Sequence, residues 1–163
     1  MWRDYAKDAR KAFRMTPTSA PWTGRPSVRL FLVPPSQRLR EGIDIGFVKL
    51  CKSVGVDYKC EAQFKKHIAN WWVDPTQSIK RTSRHSGMLG TATRKSLWYS
   101  FGEDRALCDR DFIRLLGWND HQLSLEGLAP NQLRDLAGEA MSVPCATVCA
   151  YALLHSTRLG LWA

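Results

Sequence analysis

Residues 131–154, NQLRDLAGEAMSVPCATVCAYALL, form the longest sustained apolar pattern in the chain. Leu133, Leu136, Ala137 and Ala140 follow helical spacing, and Val148, Tyr151 and Ala152 resume it. Between the two runs sit Ser142 and Pro144. Proline has no N–H and presets its own φ, so it suits a helix's first turn, and Ser142 is a natural N-cap before it. The stretch reads as a helix, a tight joint and a mostly apolar helix. A helix with so little polar surface requires cover on nearly every side, and that demand constrains the rest of the fold.

The 163 residues suffice for a domain with a real core, and 44% hydrophobic content is that of a globular chain. No apolar run approaches the roughly 20 residues needed to span a bilayer. The first residues carry charge and no apolar signal core. The five cysteines, Cys51, Cys60, Cys108, Cys145 and Cys149, are irregularly spaced with no C-x-x-C, so neither a disulfide framework nor a metal site is expected. Cys145 and Cys149 read as small buried thiols of the apolar helix. A reducing compartment, cytoplasm or nucleus, follows from this cysteine usage.

Charge is unevenly placed. Residues 1–100 hold 19 Lys+Arg against 7 Asp+Glu, whereas residues 101–163 hold 5 against 8. A basic front on a mildly acidic back points to a polyanion, DNA above all, met by the front.

In chain order, residues 3–14 read as a helix, with Trp2, Tyr5, Ala6, Ala9 and Phe13 on one face and Arg3, Lys7, Arg10, Lys11 and Arg14 mostly on the other. Prolines and Gly24 make residues 15–26 a linker or an irregular wrap. Residues 28–33 are a strand candidate. Ile43, Phe47, Leu50, Cys51 and Val54 mark a second helix ended by Gly55, and residues 60–72 a third, with Phe64, Ile68 and Trp71 inward. His67 has no partner at metal-ligand spacing. Residues 74–93 read as a polar loop. Within and just after it, Lys80, Arg81, Arg84, Arg94 and Lys95 are the best candidates for DNA phosphate contacts. A strand over 97–101 and a short helix over 109–118, with Phe112, Leu115 and Leu116 apolar, follow. The fold class is α+β and mostly α-helical.

Three local patterns in the last seventy residues carry a resemblance. Gly90-Thr91-Ala92-Thr93-Arg94 precedes Trp98-Tyr99-Ser100. Residues 105–118, RALCDRDFIRLLGW, follow the pattern R-x-L-T-x-x-E-x-x-R-L-Q-G-F, with Arg105, Leu107, Arg114, Leu115 and Gly117 matching outright. Gly138-Glu139-Ala140-Met141-Ser142-Val143-Pro144 then parallels G-N-A-V-P-P before an apolar helix. In this order the patterns resemble the C-terminal part of DNA (cytosine-5)-methyltransferases, with residues 105–118 as the ninth motif and 131–156 as the tenth motif and final helix. The resemblance implies residues 73–163 as a methyltransferase C-terminal region behind a basic helical part, 1–72. It implies the C-terminal portion of a Rossmann-like S-adenosylmethionine-dependent fold rather than a complete one. Gly138, Glu139 and Ala140 would lie near S-adenosylmethionine, and Arg105, Arg114 and Gly117 would hold the ninth motif in shape.

The residues that would perform the chemistry are absent. The family attacks cytosine with the Cys of a Pro-Cys-Gln or Pro-Cys-Asn motif, helped by an E-N-V Glu and a Q-x-R-x-R Arg, and holds its cofactor with a Gly-rich loop. None of these motifs occurs here. Pro144-Cys145 is followed by Ala146, and no Glu or basic residue is placed to activate the thiol. No catalytic residue is assigned. A fragment or degenerate copy is expected, inactive alone, which contacts DNA and is covered by a methyltransferase large domain or by self-association through its final helix. The alternative is a helix-turn-helix DNA-binding module, since residues 136–148 echo L-A-x-x-x-G-V-S-x-x-T-V. Against it, one residue too many separates Ala137 from Thr147, and residues 146–154 offer no Arg, Lys, Asn or Gln to DNA.

Overall fold

The structure is a computed structural model. It describes residues 2–28, 36–78, 83–84, 93, 95–118, 123–124, 126–139 and 143–160. Two compact units emerge, residues 1–91 with 95–107, and residues 92–94 with 108–163. The class is α+β, with short antiparallel strands and predominant helix. No helix among the described residues is long and apolar enough to cross a membrane.

The first unit is built around α2, Gln37–Ser53, whose residues 42–48, together with Leu50 and Cys51, are buried. Burial on so many sides needs close neighbours. Gly42 and Gly46, one turn apart, provide room for them. A Cβ on Gly46 would stand 2.6 Å from Val73 Cγ2, and one on Gly42 would stand 2.9 Å from Pro75 Cβ. The helix therefore lies directly on the chain at Val73–Pro75. Val73 belongs to β1, Trp72–Val73, one of the two inner strands of a sheet ordered β2-β1-β3-β4, with β2 at Ser83–Arg84, β3 at Tyr99–Ser100 and β4 at Arg105–Ala106. All pairings are antiparallel, with Trp72 opposite both Arg84 and Ser100.

α1, Trp2–Ala12, matches the helix expected there and buries Ala6, but Tyr5 on the expected apolar face is 56% exposed. Arg14 has φ +54°, and Met15 N–H reaches back to Arg10 C=O at 2.9 Å, a left-handed helix stop that turns Met15 into the core. α2 stops in the same way. Gly55, at φ +73°, and Val56 donate to Lys52 and Cys51 carbonyls, as the sequence predicts for that glycine.

Residues 15–28 wrap irregularly over α2, and Trp22 sits at the centre of an aromatic cluster. Its ring centroid lies 4.9 Å from both Phe47 and Phe101, with Phe64 5.0 Å from Phe47. Edge-to-face and tilted contacts of this kind add to the area buried. The Arg25 guanidinium lies 4.2 Å over the Phe64 ring. The wrap is fixed by Asp44, whose carboxylate accepts Trp22 N–H (2.8 Å), Thr23 N–H (2.9 Å) and Thr23 Oγ1–H (2.7 Å).

The expected third helix over 60–72 is corrected to three pieces: a single turn α3, Glu61–Phe64, a 3-10 turn, Ile68–Asn70, and then β1. Phe64 and Trp71 are buried as expected. Trp72 and Val73 leave the helical path because each pairs with a strand on either side. The strand expected at 28–33 lies outside the described residues apart from Val28, which is buried.

The second unit comprises α4, Asp109–Leu115, α5, Pro130–Glu139, and α6, Val143–Gly160. Asp111 Oδ2 accepts Cys108 N–H at 2.8 Å and Gln132 Oε1 accepts Ala129 N–H at 2.8 Å. Each satisfies an amide that precedes its helix. Among the described residues, Phe112, Ile113, Leu133 and Ala137 are buried on α4 and α5. Leu115, one of the apolar residues of that helix, is 53% exposed, whereas Ile113 is buried. On α5, Leu136 is 46% exposed, at the edge of the face that carries the buried Leu133 and Ala137.

Candidate nucleic-acid interface

The five cations expected to meet phosphate fall into two groups. Lys80, Arg81 and Arg94 lie outside the described residues. Arg84 is not in a loop: it is part of β2, opposite Trp72. Lys95 is exposed, immediately before the buried Ser96 and Trp98. The start of the same segment is also not a free loop. Asp74 is 1% exposed, and its Oδ1 accepts Thr76 N–H at 3.0 Å, the Thr76 hydroxyl, and Leu97 N–H at 3.3 Å. This carboxylate ties the exit of β1 to the approach of β3, and so places Lys95 relative to the sheet.

Arg105, Arg114 and Gly117 each have a local structural setting. Arg105 pairs with Glu103 at 2.7 Å and leads β4 into the sheet. Arg114 is exposed in the last turn of α4, where a cation suits the carbonyl end of the helix dipole. Gly117, at φ +82°, donates to Arg114 C=O at 2.9 Å while Trp118 N–H reaches Ile113 C=O at 3.3 Å. A side chain at that φ is strained, which explains the glycine.

Gly138 and Glu139 end α5, and Ala140 lies outside the described residues. The exposed Glu139 carboxylate stands at the carbonyl end of a helix, where the dipole is also negative. A carboxylate there repels the carboxylate of S-adenosylmethionine and does not fit that cofactor.

The cysteines divide by environment. Cys51 is 1% exposed, and burial pushes its thiol up to about 12, so it is protonated at neutral pH and inert. Cys108, Cys145 and Cys149 are exposed. For Cys145 and Cys149 this corrects the expected burial: α6 is not covered on their side. Val148, Tyr151 and Leu153 of α6 are likewise 68%, 67% and 66% exposed. Among the described residues no group of His, Cys, Asp and Glu could hold a metal, and His67 instead stacks on Trp71, with ring centroids 6.1 Å apart.

One basic feature is not visible from composition. Trp2, Ala6 and Met15 line a groove of about 600 Å³ bordered by Arg3, Lys7, Arg10 and Lys11 of α1 and by Gln37 and Glu41 of α2. The charge stripe of α1 hints at it, but its floor depends on how the wrap and α2 meet α1.

Compared with known proteins, the chain matches no family model, no curated protein and no solved structure.

Proposed function

We propose that this chain is a DNA-contacting component of a cytosine-5 methyltransferase-like assembly, which supplies the ninth- and tenth-motif segments and performs no methyl transfer alone. The observation that carries the reading is the open surface of α6. Val148, Cys149, Tyr151 and Leu153 point to different sides of the helix, and all are exposed. A single partner helix covers one stripe only. A helix exposed at Cys145 and at residues 147–153, with Ala146 half-buried, fits a cover that surrounds it, as a larger domain does. The sequence of the same helix weighs against a helix-turn-helix module, because residues 146–154 have no Arg, Lys, Asn or Gln to offer to bases. DNA contact is assigned to Arg84 and Lys95 together with Lys80, Arg81 and Arg94, and the base would be flipped out for chemistry done elsewhere in the assembly. S-adenosylmethionine would be held mainly by that other part.

Light scattering with a hydrophobic dye tests the open helix. The isolated chain is expected to self-associate or to bind dye, and Tyr151→Lys to relieve both. A monodisperse monomer that binds no dye and melts cooperatively overturns the reading. Radiolabel transfer to DNA above a no-protein control, lost on Cys145→Ser, would overturn the assignment of no catalysis.

A further inference from the structure

We propose that the groove between α1 and the start of α2 binds a single nucleic-acid strand, with Arg3, Lys7 and Lys11 on successive phosphates and Trp2 under a base. The site lies in the first unit and does not depend on the methyltransferase reading.

Arg3, Lys7 and Lys11 recur every four residues, which sets them about 6 Å apart along the helix axis. All three are exposed on the groove side of α1. The two carboxylates of α1, Asp4 and Asp8, do not line the groove, although Asp4 and Lys7 interact electrostatically. The carboxylate that does line the groove, Glu41, is already paired with Arg10. Arg10 in turn donates to the carbonyls of Thr16 (2.8 Å) and Ser19 (2.9 Å), so this pair is a fixed wall rather than a ligand-seeking charge. Among the lining side chains the border therefore carries a positive excess of three, with Lys7 shared in part with Asp4.

The floor is apolar and includes an aromatic ring. Ala6 and Met15 are buried, and Trp2 is half-buried, packed against the core with part of its indole left to the groove. A cationic groove along the backbone with an aromatic face under a base is the combination by which single strands are bound without sequence preference. An acidic amphipathic helix is the competing occupant. It needs a row of apolar pockets for anchors at i, i+3/i+4 and i+7, and a lining whose apolar members are Trp2, Ala6, Met15 and the exposed Pro17 does not provide that row.

The test uses the full chain, a fluorescent oligothymidine strand and anisotropy titrations over a range of KCl. Wild type is expected to bind with a salt-dependent affinity. In R3A/K7A/K11A the log–log salt slope should fall by about 2, at roughly 0.7 for each phosphate no longer neutralised. These side chains are exposed, so the melting curve should be unchanged. Trp2→Leu, which keeps an apolar body, should weaken binding roughly tenfold while leaving the slope intact. Lys95→Ala reports on the DNA surface proposed above, and should change the strand's salt slope by no more than about 0.7, the share of one phosphate. An unchanged slope in the triple variant overturns the groove, whether or not Lys95→Ala has an effect. Displacement of the strand by polyglutamate at equal concentration overturns it in favour of an acidic peptide. Should Trp2→Leu fail to fold, the triple variant alone decides.

Discussion

Trp22 and Tyr99, 77 residues apart, are joined by a hydrogen bond of 2.9 Å from the indole Nε1–H to the phenolic oxygen. The Tyr99 hydroxyl in turn donates to Asp104, a residue held at φ +52°. The chain of donors links the wrap, the sheet and the β3–β4 turn. Burial, aided by the hydrogen bond to Asp104, pushes the Tyr99 hydroxyl far above its ordinary value, so it stays protonated and donating.

Tyr99→Phe leaves the Trp22 indole N–H unsatisfied in the core. A loss of about 1–3 kcal/mol is expected, read by urea unfolding. Combining it with Trp22→Phe should cost less than the sum of the two single changes. Strict additivity would show the bond to be idle.

Gly46→Ala places a methyl against Val73, a β-branched residue on an inner strand that cannot swing aside. Alanine gains up to about 1 kcal/mol of helix propensity. Overpacking at 2.6 Å costs about 1–3 kcal/mol and wins. Val73→Ala in the same chain should recover part of the loss. If Gly46→Ala raises the melting temperature, α2 does not sit against β1 as described.

Asp44 provides a pH test. Burial raises its carboxyl above the ordinary 3.8, opposed by the bonds from Thr23 and Trp22 and by Arg10. The folded state thus holds this proton more tightly than the unfolded chain. Stability from Asp44 is fully present below about 3.8 and is lost as pH rises through the raised value. Asp44→Asn lacks this component. The gap in melting temperature between wild type and variant should narrow as pH rises across that window. A gap that widens would mean that the three donors outweigh burial.

Thiol labelling separates the cysteines. Under native conditions at neutral pH, Cys108, Cys145 and Cys149 should react quickly, and Cys51 only on unfolding. Mass mapping of the labelled peptides checks this. Fast labelling of Cys51 would place it in a mobile rather than a packed helix.

Much of this was readable where a periodic pattern ran long. α1 and α2 follow from helical spacing, and Gly55 and Gly117 from the left-handed turn that ends each helix. The third helix misled because Phe64, Ile68 and Trp71 fall on helical spacing. Pairing on both sides of Trp72 and Val73 is a tertiary effect that no window of that length contains. Strands two residues long carry no alternation to detect. Asp74 reads as part of a polar loop, and only the fold reveals that its carboxylate fastens two strands. The exposed α6 thiols mark the opposite limit: an apolar sequence states a need for cover, not whether this chain provides it.

The bond between Trp22 and Tyr99 also orders events in time. Trp22, Phe47 and Phe101 are mutual neighbours in one cluster. A chain leaving the ribosome exposes the wrap and α2 long before Tyr99 and Phe101 exist. Until then Trp22 has no phenolic partner and α2 no sheet beneath its glycines. Closing a loop of this length precedes the reward of the contacts it brings, so the first unit should acquire its core late and in one step. Through most of synthesis its front would be a basic, tryptophan-bearing polymer, and that interval is where a chaperone or a nucleic acid would meet it first.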